Sequence, residues 1–333
     1  MLFERFRKAY APETQWPVWS NDRETCIGDK CRFCFETCPT GTIKWSSKTG
    51  MPYIDGVGGF DKACINCYNC IAVCPTHSIS MSGGYSVPVG RYKTVKESIL
   101  RMPMPFPDRN APYSEVEKEL TEVERVIYRR RSNRIFKDTA VPEALLHRIM
   151  EAGRYAPTAG NNMPFTFVAI TDKTLIRDIE LRSMKVLRWF KNLYLNPNFI
   201  KKILATIMSY IMIRQMDQRP FFPLDKADRR NGNLFYGAPA LILVLMDKRG
   251  ISDPNLDAGI CAQNIVLAAH ALGLGTCYNG YAATAFGYLP GLRKKFGITY
   301  PWKVVTTIAV GYAKVKTDHA VPREDVPVRW FKG

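Results

Sequence analysis

Eight of the ten cysteines lie between positions 26 and 74, in two runs that each end in Cys-Pro. The first run is Cys26, Cys31, Cys34 and Cys38, and the second is Cys64, Cys67, Cys70 and Cys74. Thiolates are soft ligands suited to iron, and two-residue gaps let a tight turn present three sulfurs to one metal cluster. Structural zinc sites are the alternative, for which two cysteine pairs suffice. The two runs therefore predict two 4Fe-4S clusters.

Over about residues 20–82 the pattern resembles a bacterial-type ferredoxin, except that four residues, 27–30, separate the first two cysteines. In two-cluster ferredoxins the fourth cysteine of each run binds the other run's cluster. We call this the crossed ligand pattern. It assigns Cys26, Cys31, Cys34 and Cys74 to one cluster and Cys64, Cys67, Cys70 and Cys38 to the other. We expect a two-cluster ferredoxin-like domain over residues 1–85. The remaining cysteines, Cys261 and Cys277, are interpreted as buried thiols.

The formal net charge is +17, and residues 1–85 contain nine Lys or Arg against eight Asp or Glu. The other +16 therefore belongs to residues 86–333. The apolar runs at 203–213 and 238–246 are shorter than the roughly 20 residues that span a bilayer. The first residues are charged and do not have the pattern of a secretory signal. We expect a cytoplasmic protein whose cysteines are reduced.

A proline-rich stretch, residues 86–113, is typical of a linker between domains. Ser114 followed by Glu117 then predicts a capping box that opens a helix. The apolar face of this helix is Val116, Leu120, Val123 and Ile127. A second domain is expected over residues 114–333.

Hydrophobic periodicity predicts the main elements of this second domain. Helices are expected at 142–153 and 255–272, and strands at 165–171, 240–246 and 304–310. Helices mixed with few β-branched strands are typical of an α+β fold, here with helices around a mostly antiparallel sheet.

Several short motifs in the second domain, taken together and in order, resemble the nitroreductase family of FMN enzymes over roughly residues 120–330. They lie at 129–136, 157–165, 236–239, 257–264, 273–276 and 311–312. The resemblance implies an obligate homodimer with FMN at the subunit interface. It also implies that the flavin performs the chemistry and that protein groups position it.

The resemblance also implies a set of FMN-binding residues. Those at the phosphate and ribityl end are Arg130, Arg131, Ser132 and Arg134. Those that face the flavin bound chiefly by the other subunit are Pro157, Thr158, Ala159 and Asn161. Asn279 and Gly280 match positions whose backbone lies beside flavin N5, and they are the catalytic candidates. Arg323 matches a second basic contact to the phosphate.

A basic helical insertion is expected at about 181–230. Residues 181–216 contain seven Lys or Arg and no acidic residue, interleaved with aromatic side chains. We interpret this stretch as a lid over the flavin or an arm of the dimer. The alternative is peripheral contact with the inner face of a membrane, since Lys201, Lys202 and Arg214 flank an apolar run. No nucleic-acid-binding motif accompanies the charge, so no nucleic acid partner is expected.

These features predict an iron-sulfur flavoprotein oxidoreductase that reduces a small organic acceptor such as a nitro group, a quinone or an activated alkene. An external low-potential carrier such as ferredoxin is the expected electron donor, because no Gly-x-Gly-x-x-Gly dinucleotide fingerprint is present. Two alternatives remain open. One is a dehydrogenase that runs in reverse and reduces ferredoxin. The other is a non-catalytic electron-transfer adaptor between larger redox proteins.

Overall fold

The computed structural model describes residues 18–54, 64–83, 100–107, 109–195, 220–315, 319–326 and 328–332, and single positions 198, 200, 203 and 207. The chain divides into two compact units. The first unit contains Met1–Arg129, Asn192–Pro223 and Asp318–Gly333, and the second contains Arg130–Lys191 and Leu224–Thr317. This division differs from the predicted boundaries of 1–85, 86–113 and 114–333, because residues 114–129, 192–223 and 318–333 group with the first unit.

The first unit is built from short elements. They are β1 (Val18–Asn21), α1 (Phe33–Thr37), β2 (Lys44–Ser46), β3 (Met51–Tyr53), α2 (Asn69–Ala72), β4 (Ile79–Ser82), β5 (Leu100–Arg101), α3 (Tyr113–Glu119), α4 (Glu122–Arg129) and β10 (Arg323–Glu324). Strands β1 and β4 pair antiparallel, with Val18 opposite Ser82. Strands β2 and β3 form a second antiparallel pair.

Two of the Cys-x-x-Cys turns of the first unit, 31–34 and 67–70, have the same backbone geometry. In each turn the residue directly after a cysteine is left-handed, Arg32 with φ 60° and Tyr68 with φ 55°. Each of these residues precedes the short helix that contains the next cysteine of its run. The buried residues of the apolar cluster beside the turns are Cys34, Cys38, Ile43, Cys74 and Ile79. The cysteine side chains are therefore part of the core of this unit.

The C-terminal segment packs onto the cysteine-rich part of the first unit. Strand β10 pairs antiparallel with β5, with Arg323 opposite Arg101. Val321 is buried against Tyr68 and Ala72. These contacts explain why the last residues group with the first unit and not with the predicted 114–333 domain.

The helix predicted to open at Ser114 is two helices, α3 and α4. Leu120 adopts an extended conformation with ψ 145°, which ends α3. The capping box lies at the next helix, where the Thr121 N–H donates to Glu124 at 2.8 Å and the Glu124 N–H donates to Thr121 Oγ1 at 3.3 Å. The prediction of a box at Ser114 was therefore wrong. Both sites have the same sequence pattern, and only the break at Leu120 distinguishes them.

The second unit is a layer of helices on an antiparallel sheet. Its elements are α5 (Glu143–Arg154), β6 (Phe165–Ile170), α6 (Lys173–Leu195), α7 (Phe221–Arg229), β7 (Ala240–Asp247), α8 (Pro254–Ala271), β8 (Gly275–Asn279), α9 (Gly280–Tyr288), α10 (Pro290–Lys295) and β9 (Trp302–Gly311). The strand order is β6-β7-β9-β8, and each neighbouring pair is antiparallel. Helices α6 and α7 extend beyond this unit's bounds at one end.

The core lies where α5 and α8 cover the sheet. Strand β7 is buried along nearly its whole length, which explains its continuous apolar sequence. Ile242 and Val244 pack in one cluster with Ala258, Cys261 and Ile265 of α8. The prediction of buried thiols is confirmed, since Cys261 is fully buried in this cluster and Cys277 is buried in β8.

The α+β fold with an antiparallel sheet is confirmed, and the predicted strands and helices of this unit lie within two residues of the observed ones. Strand β8 was not predicted, because Gly275–Asn279 is short and has no alternation of apolar and polar residues.

The stretch predicted as a basic insertion begins in the middle of α6. Lys191 is buried and donates to Asp228 at 2.7 Å and to Asp225 at 3.2 Å. Burial alone lowers the pKa of Lys191, but the two carboxylates raise it above its usual value. The carboxylates of α7 thus neutralise part of the basic stretch.

Most of residues 196–219 lie outside the described part of the chain, including Lys201, Lys202 and Arg214. The lid, dimer-arm and membrane-contact interpretations remain predictions. Among the described residues, no helix is long and apolar enough to cross a membrane.

Candidate functional site

Four thiols of the first unit line one cavity. Cys64, Cys67 and Cys70 come from the second cysteine run, and Cys38 comes from the first. The cavity is otherwise lined mostly by apolar residues and threonines, namely Trp19, Pro39, Thr40, Thr42, Ile43, Ile65, Tyr68 and Met81. The crossed ligand pattern predicts this composition for one cluster, namely three thiols from one run and one from the other.

The other four thiols form a second electrostatic group. Burial, together with smaller contributions from negative charge on Cys31, Cys74 and Cys26, raises the pKa of Cys34 to about 12. Burial also raises the pKa of Cys31, with Cys74 and Cys26 among the further causes. Buried thiolates at this spacing repel one another, so a bound cation is needed to hold them ionised. The two groups of four fit two iron-sulfur clusters.

No three His, Cys, Asp or Glu side chains of the described residues converge on a single metal ion. A 4Fe-4S cube distributes its thiolates over four iron atoms.

Hydroxyl groups lie beside the fourth cysteine of each run. Burial opposes ionisation of Cys74, but hydrogen bonds from Ser78 and Thr76 lower its pKa. The Ser78 hydroxyl lies 3.2 Å from the Cys74 sulfur, and the Thr40 hydroxyl lies 3.5 Å from the Cys38 sulfur. Hydrogen bonds to ligand sulfurs tune the potential of an iron-sulfur cluster. The sequence pattern Cys-Pro-Thr occurs in both runs and is a local signal for the Thr40 and Thr76 hydroxyls.

In the second unit, the arginine-rich segment runs alongside β8. The Asn133 N–H donates to the Thr276 carbonyl at 2.8 Å, and Ser132 bridges the same residue. Arg131 is buried, and its guanidinium donates to the Arg130 carbonyl at 2.6 Å. A side chain at Gly275 would place its Cβ 2.9 Å from Asn133, so β8 needs glycine to let the segment approach. The structure therefore fixes Arg130, Arg131, Ser132 and Arg134 beside the strand that leads to Asn279.

Asn279 ends β8 and caps α9. Its side-chain oxygen accepts the Ala282 N–H at 3.1 Å, and its amide nitrogen donates to the Leu234 carbonyl at 2.7 Å. The Thr307 hydroxyl donates to the Asn279 carbonyl at 2.7 Å. Both polar atoms of the Asn279 side chain therefore make hydrogen bonds to the backbone of this unit. Gly280 is the first residue of the helix, where a backbone N–H has no intrahelical acceptor.

Two tyrosines near these residues were not singled out from the sequence. Burial raises the pKa of Tyr278 to about 12, against the opposing charge of Arg130. Burial also raises the pKa of Tyr281, with a smaller effect of Tyr236 and opposition from Arg134. Both phenols are held protonated near cationic groups. The Tyr278 hydroxyl donates to Gln263 Oε1 at 3.3 Å. The arginines, the Ser132 hydroxyl and the helix N-terminus are donors that fit a phosphate-bearing ligand such as FMN.

The segment 157–161, which contains the predicted flavin-facing residues, lies between α5 and β6. The Met163 N–H donates to Thr158 Oγ1 at 3.1 Å. Ala159 begins a short 3₁₀ turn that ends at Asn161, whose φ is 51°. Ile251 is the neighbour that a side chain at position 160 would meet. The position of Pro157, Thr158, Ala159 and Asn161 at a partner subunit's flavin stays a prediction.

The structure places Arg323 in β10 of the first unit, with an exposed side chain. The arginine-rich segment of 130–134 belongs to the second unit. The phosphate contact of Arg323 was inferred from the family resemblance alone, and it stays a prediction.

Both parts of the chain match known protein families. The model of the nitroreductase family matches residues 127–312, and the model of a 4Fe-4S dicluster domain matches residues 18–85. An Archaeoglobus fulgidus protein described as an NADH dehydrogenase/NAD(P)H nitroreductase is 23% identical over 203 residues, covering 60% of this chain and 90% of that protein. A 4-nitrobenzoate reductase of a Nocardioides species is 24% identical over 221 residues, covering 60% of this chain and 85% of its own length.

Among solved structures, a nitroreductase with bound FMN from Desulfitobacterium hafniense is 25% identical. It aligns with a TM-score of 0.47 over 64% of this chain and all of that chain. The predicted enzyme class and the two-cluster domain are confirmed by the family matches. The chain belongs to the nitroreductase family and carries a 4Fe-4S dicluster domain ahead of the nitroreductase fold.

Proposed function

We propose that the chain is an iron-sulfur flavoprotein oxidoreductase in which two 4Fe-4S clusters exchange electrons with FMN and a small organic acceptor is reduced. The proposal rests mainly on one observation. The eight thiols form two groups of four, each with three thiols from one run and one from the other, in a chain that also has the nitroreductase fold. When bound, the clusters supply one-electron steps and FMN couples them to a two-electron step.

The cysteines act as ligands in the crossed pattern. Cys26, Cys31, Cys34 and Cys74 hold one cluster, and Cys38, Cys64, Cys67 and Cys70 hold the other. The hydroxyls of Ser78 and Thr40 stabilise negative charge on the sulfurs of Cys74 and Cys38. The apolar cluster beside the thiols limits the access of water.

The residues beside β8 bind the flavin. Arg130, Arg131 and Arg134 hold the phosphate by charge-assisted hydrogen bonds, together with the Ser132 hydroxyl. The Gly280 N–H lies at the start of α9, where it can donate to the reactive edge of the ring. The protein groups thus supply position and polarity.

The acceptor class is a nitro group, a quinone or an activated alkene. The name of the Nocardioides relative, 4-nitrobenzoate reductase, favours a nitro group. The partners we propose are a second copy of the chain and an external low-potential carrier such as ferredoxin. Lys30, Lys44 and Lys48 lie in the cysteine-rich part of the first unit, where an acidic carrier can dock close to the clusters.

Anaerobic turnover assays test this proposal. Reduced ferredoxin, NADH and NADPH are compared as donors, with a nitroaromatic compound, a quinone and an activated alkene as acceptors. We expect fast reduction of at least one acceptor with ferredoxin and poor turnover with the nicotinamides. Turnover with NADH that equals turnover with ferredoxin would exclude the clusters as the main electron entry. Turnover of none of the three acceptor classes would contradict the proposed reaction.

A further inference from the structure

A buried carboxylate on α6 binds two successive backbone N–H groups. Glu180 Oε1 accepts from the N–H of Leu234 at 2.9 Å and of Phe235 at 3.0 Å, while Oε2 accepts from Arg177 at 2.8 Å. The Glu180 side chain is only 8% exposed. A buried charged group is tolerated when it is paired with an opposite charge and hydrogen-bonded. Glu180 therefore binds the backbone of one loop, residues 231–237.

This loop has an unusual backbone. Asn231 and Tyr236 are non-glycine residues with φ of 56° and 60°, and Gly232 and Gly237 also have positive φ. Such conformations are unfavourable for residues with a side chain and persist only where surrounding contacts hold them. Arg177, the ion-pair partner of Glu180, also donates to the Asn231 carbonyl. Two side chains of α6, Glu180 and Arg177, therefore hydrogen-bond to the backbone of this loop.

One peptide group joins Glu180 to Asn279. The Phe235 N–H and the Leu234 carbonyl belong to the same peptide group. The N–H donates to Glu180, and the carbonyl accepts from the Asn279 amide at 2.7 Å. The Asn279 side-chain oxygen in turn accepts the Ala282 N–H of α9 at 3.1 Å. Hydrogen bonds in such a chain polarise one another.

We propose that Glu180 is a positioning residue that sets the orientation and polarity of the Asn279–Gly280 peptide through this hydrogen-bond chain. The inference rests on the proposed function in one respect, namely that this peptide faces the flavin. Glu180 itself touches neither flavin nor substrate. Its charge fixes the Asn279 amide and the first turn of α9, and through them the N–H of Gly280. A residue that sets the polarity of this peptide changes the affinities for oxidised and reduced flavin by different amounts, because the two forms differ in charge at the ring edge.

The test measures the flavin midpoint potential and the visible flavin spectrum of the full-length holoprotein. Glu180→Gln keeps the shape of the side chain and removes its charge. We expect it to change the ratio of affinities for reduced and oxidised FMN about tenfold, which is about 30 mV for a two-electron couple. The matched control is Asp178→Asn on the same helix. Asp178 pairs with Arg182 and Lys295.

An unchanged potential and spectrum in Glu180→Gln would overturn the inference, as would an equal shift in Asp178→Asn. If Glu180→Gln does not fold, Asn279→Ser breaks the chain at its other end. Serine keeps the helix cap and loses the donor to the Leu234 carbonyl. It must then shift the flavin midpoint potential, and an unchanged potential contradicts the proposal.

Hydrogen exchange separates this inference from the proposed function. In FMN-free protein, Glu180→Gln is expected to speed exchange of the Phe235 and Ala282 amides, while Asp178→Asn leaves both unchanged. A wild-type protein that binds no FMN would contradict the proposed function but not this coupling. Exchange at Ala282 that is the same in wild type and Glu180→Gln would contradict the coupling itself.

Discussion

Replacing Cys70 by serine is expected to remove about four of the chain's about eight iron atoms, together with the same number of acid-labile sulfides. Cys70 lines the cavity that it shares with Cys38, Cys64 and Cys67. A cluster that loses one of its four thiolates is held by a weaker oxygen ligand. Because the thiols are part of the apolar core, the first unit should also lose stability.

The crossed ligand pattern makes this prediction more specific. Cys38→Ser should remove the same cluster as Cys70→Ser, although Cys38 belongs to the first run. Iron and sulfide analysis, with electron paramagnetic resonance of the reduced protein, identifies which cluster is lost. The control is Cys277→Ser, a buried thiol in the second unit, which should keep all the iron. Full iron content in Cys70→Ser would contradict the ligand assignment.

Arg131→Ala is expected to weaken FMN binding on the order of 10- to 100-fold, since a hydrogen bond to a charged group contributes about 1.5–3 kcal/mol. Arg131 is buried in the segment beside β8. The loss should be larger at high salt, because the remaining arginines hold the phosphate by charge and salt screens that attraction. Equilibrium binding followed by flavin fluorescence measures the effect.

Arg148→Ala, at an exposed position on α5, is the control and should leave FMN binding unchanged. Arg323→Ala tests the second phosphate contact that the family resemblance predicts. A loss comparable with that of Arg131→Ala would support that role, and unchanged binding would exclude it. Unchanged FMN affinity in Arg131→Ala would contradict the assignment of the arginine-rich segment.

The elements that could be predicted from the sequence depend on local pattern. The cysteine spacing predicts two clusters because ligand geometry constrains neighbouring residues directly. Strand β7 and helix α8 are long and apolar, so periodicity locates them to within two residues. The FMN residues came from the family resemblance, and the structure adds how Asn133 and Gly275 bring their segment against β8.

The features that could not be predicted depend on contacts between distant parts of the chain. Glu180 binds N–H groups more than 50 positions away, and nothing in its own helix indicates this target. Tyr236 adopts a positive φ that its residue type does not suggest, although Asn231-Gly232 nearby is a turn signal. The association of Val321 with Tyr68 and Ala72 is equally non-local.

In the proposed function, electrons reach the flavin through clusters on the same chain. The direct test is anaerobic stopped-flow reduction of the flavin by reduced ferredoxin, comparing wild type with the full-length Cys70→Ser variant loaded with FMN. Because fusion raises the effective concentration of the clusters beside the flavin, we expect reduction in the variant to be on the order of 100-fold slower. Equal rates in the two proteins would show that the flavin receives electrons without this cluster, and would contradict the proposed electron route.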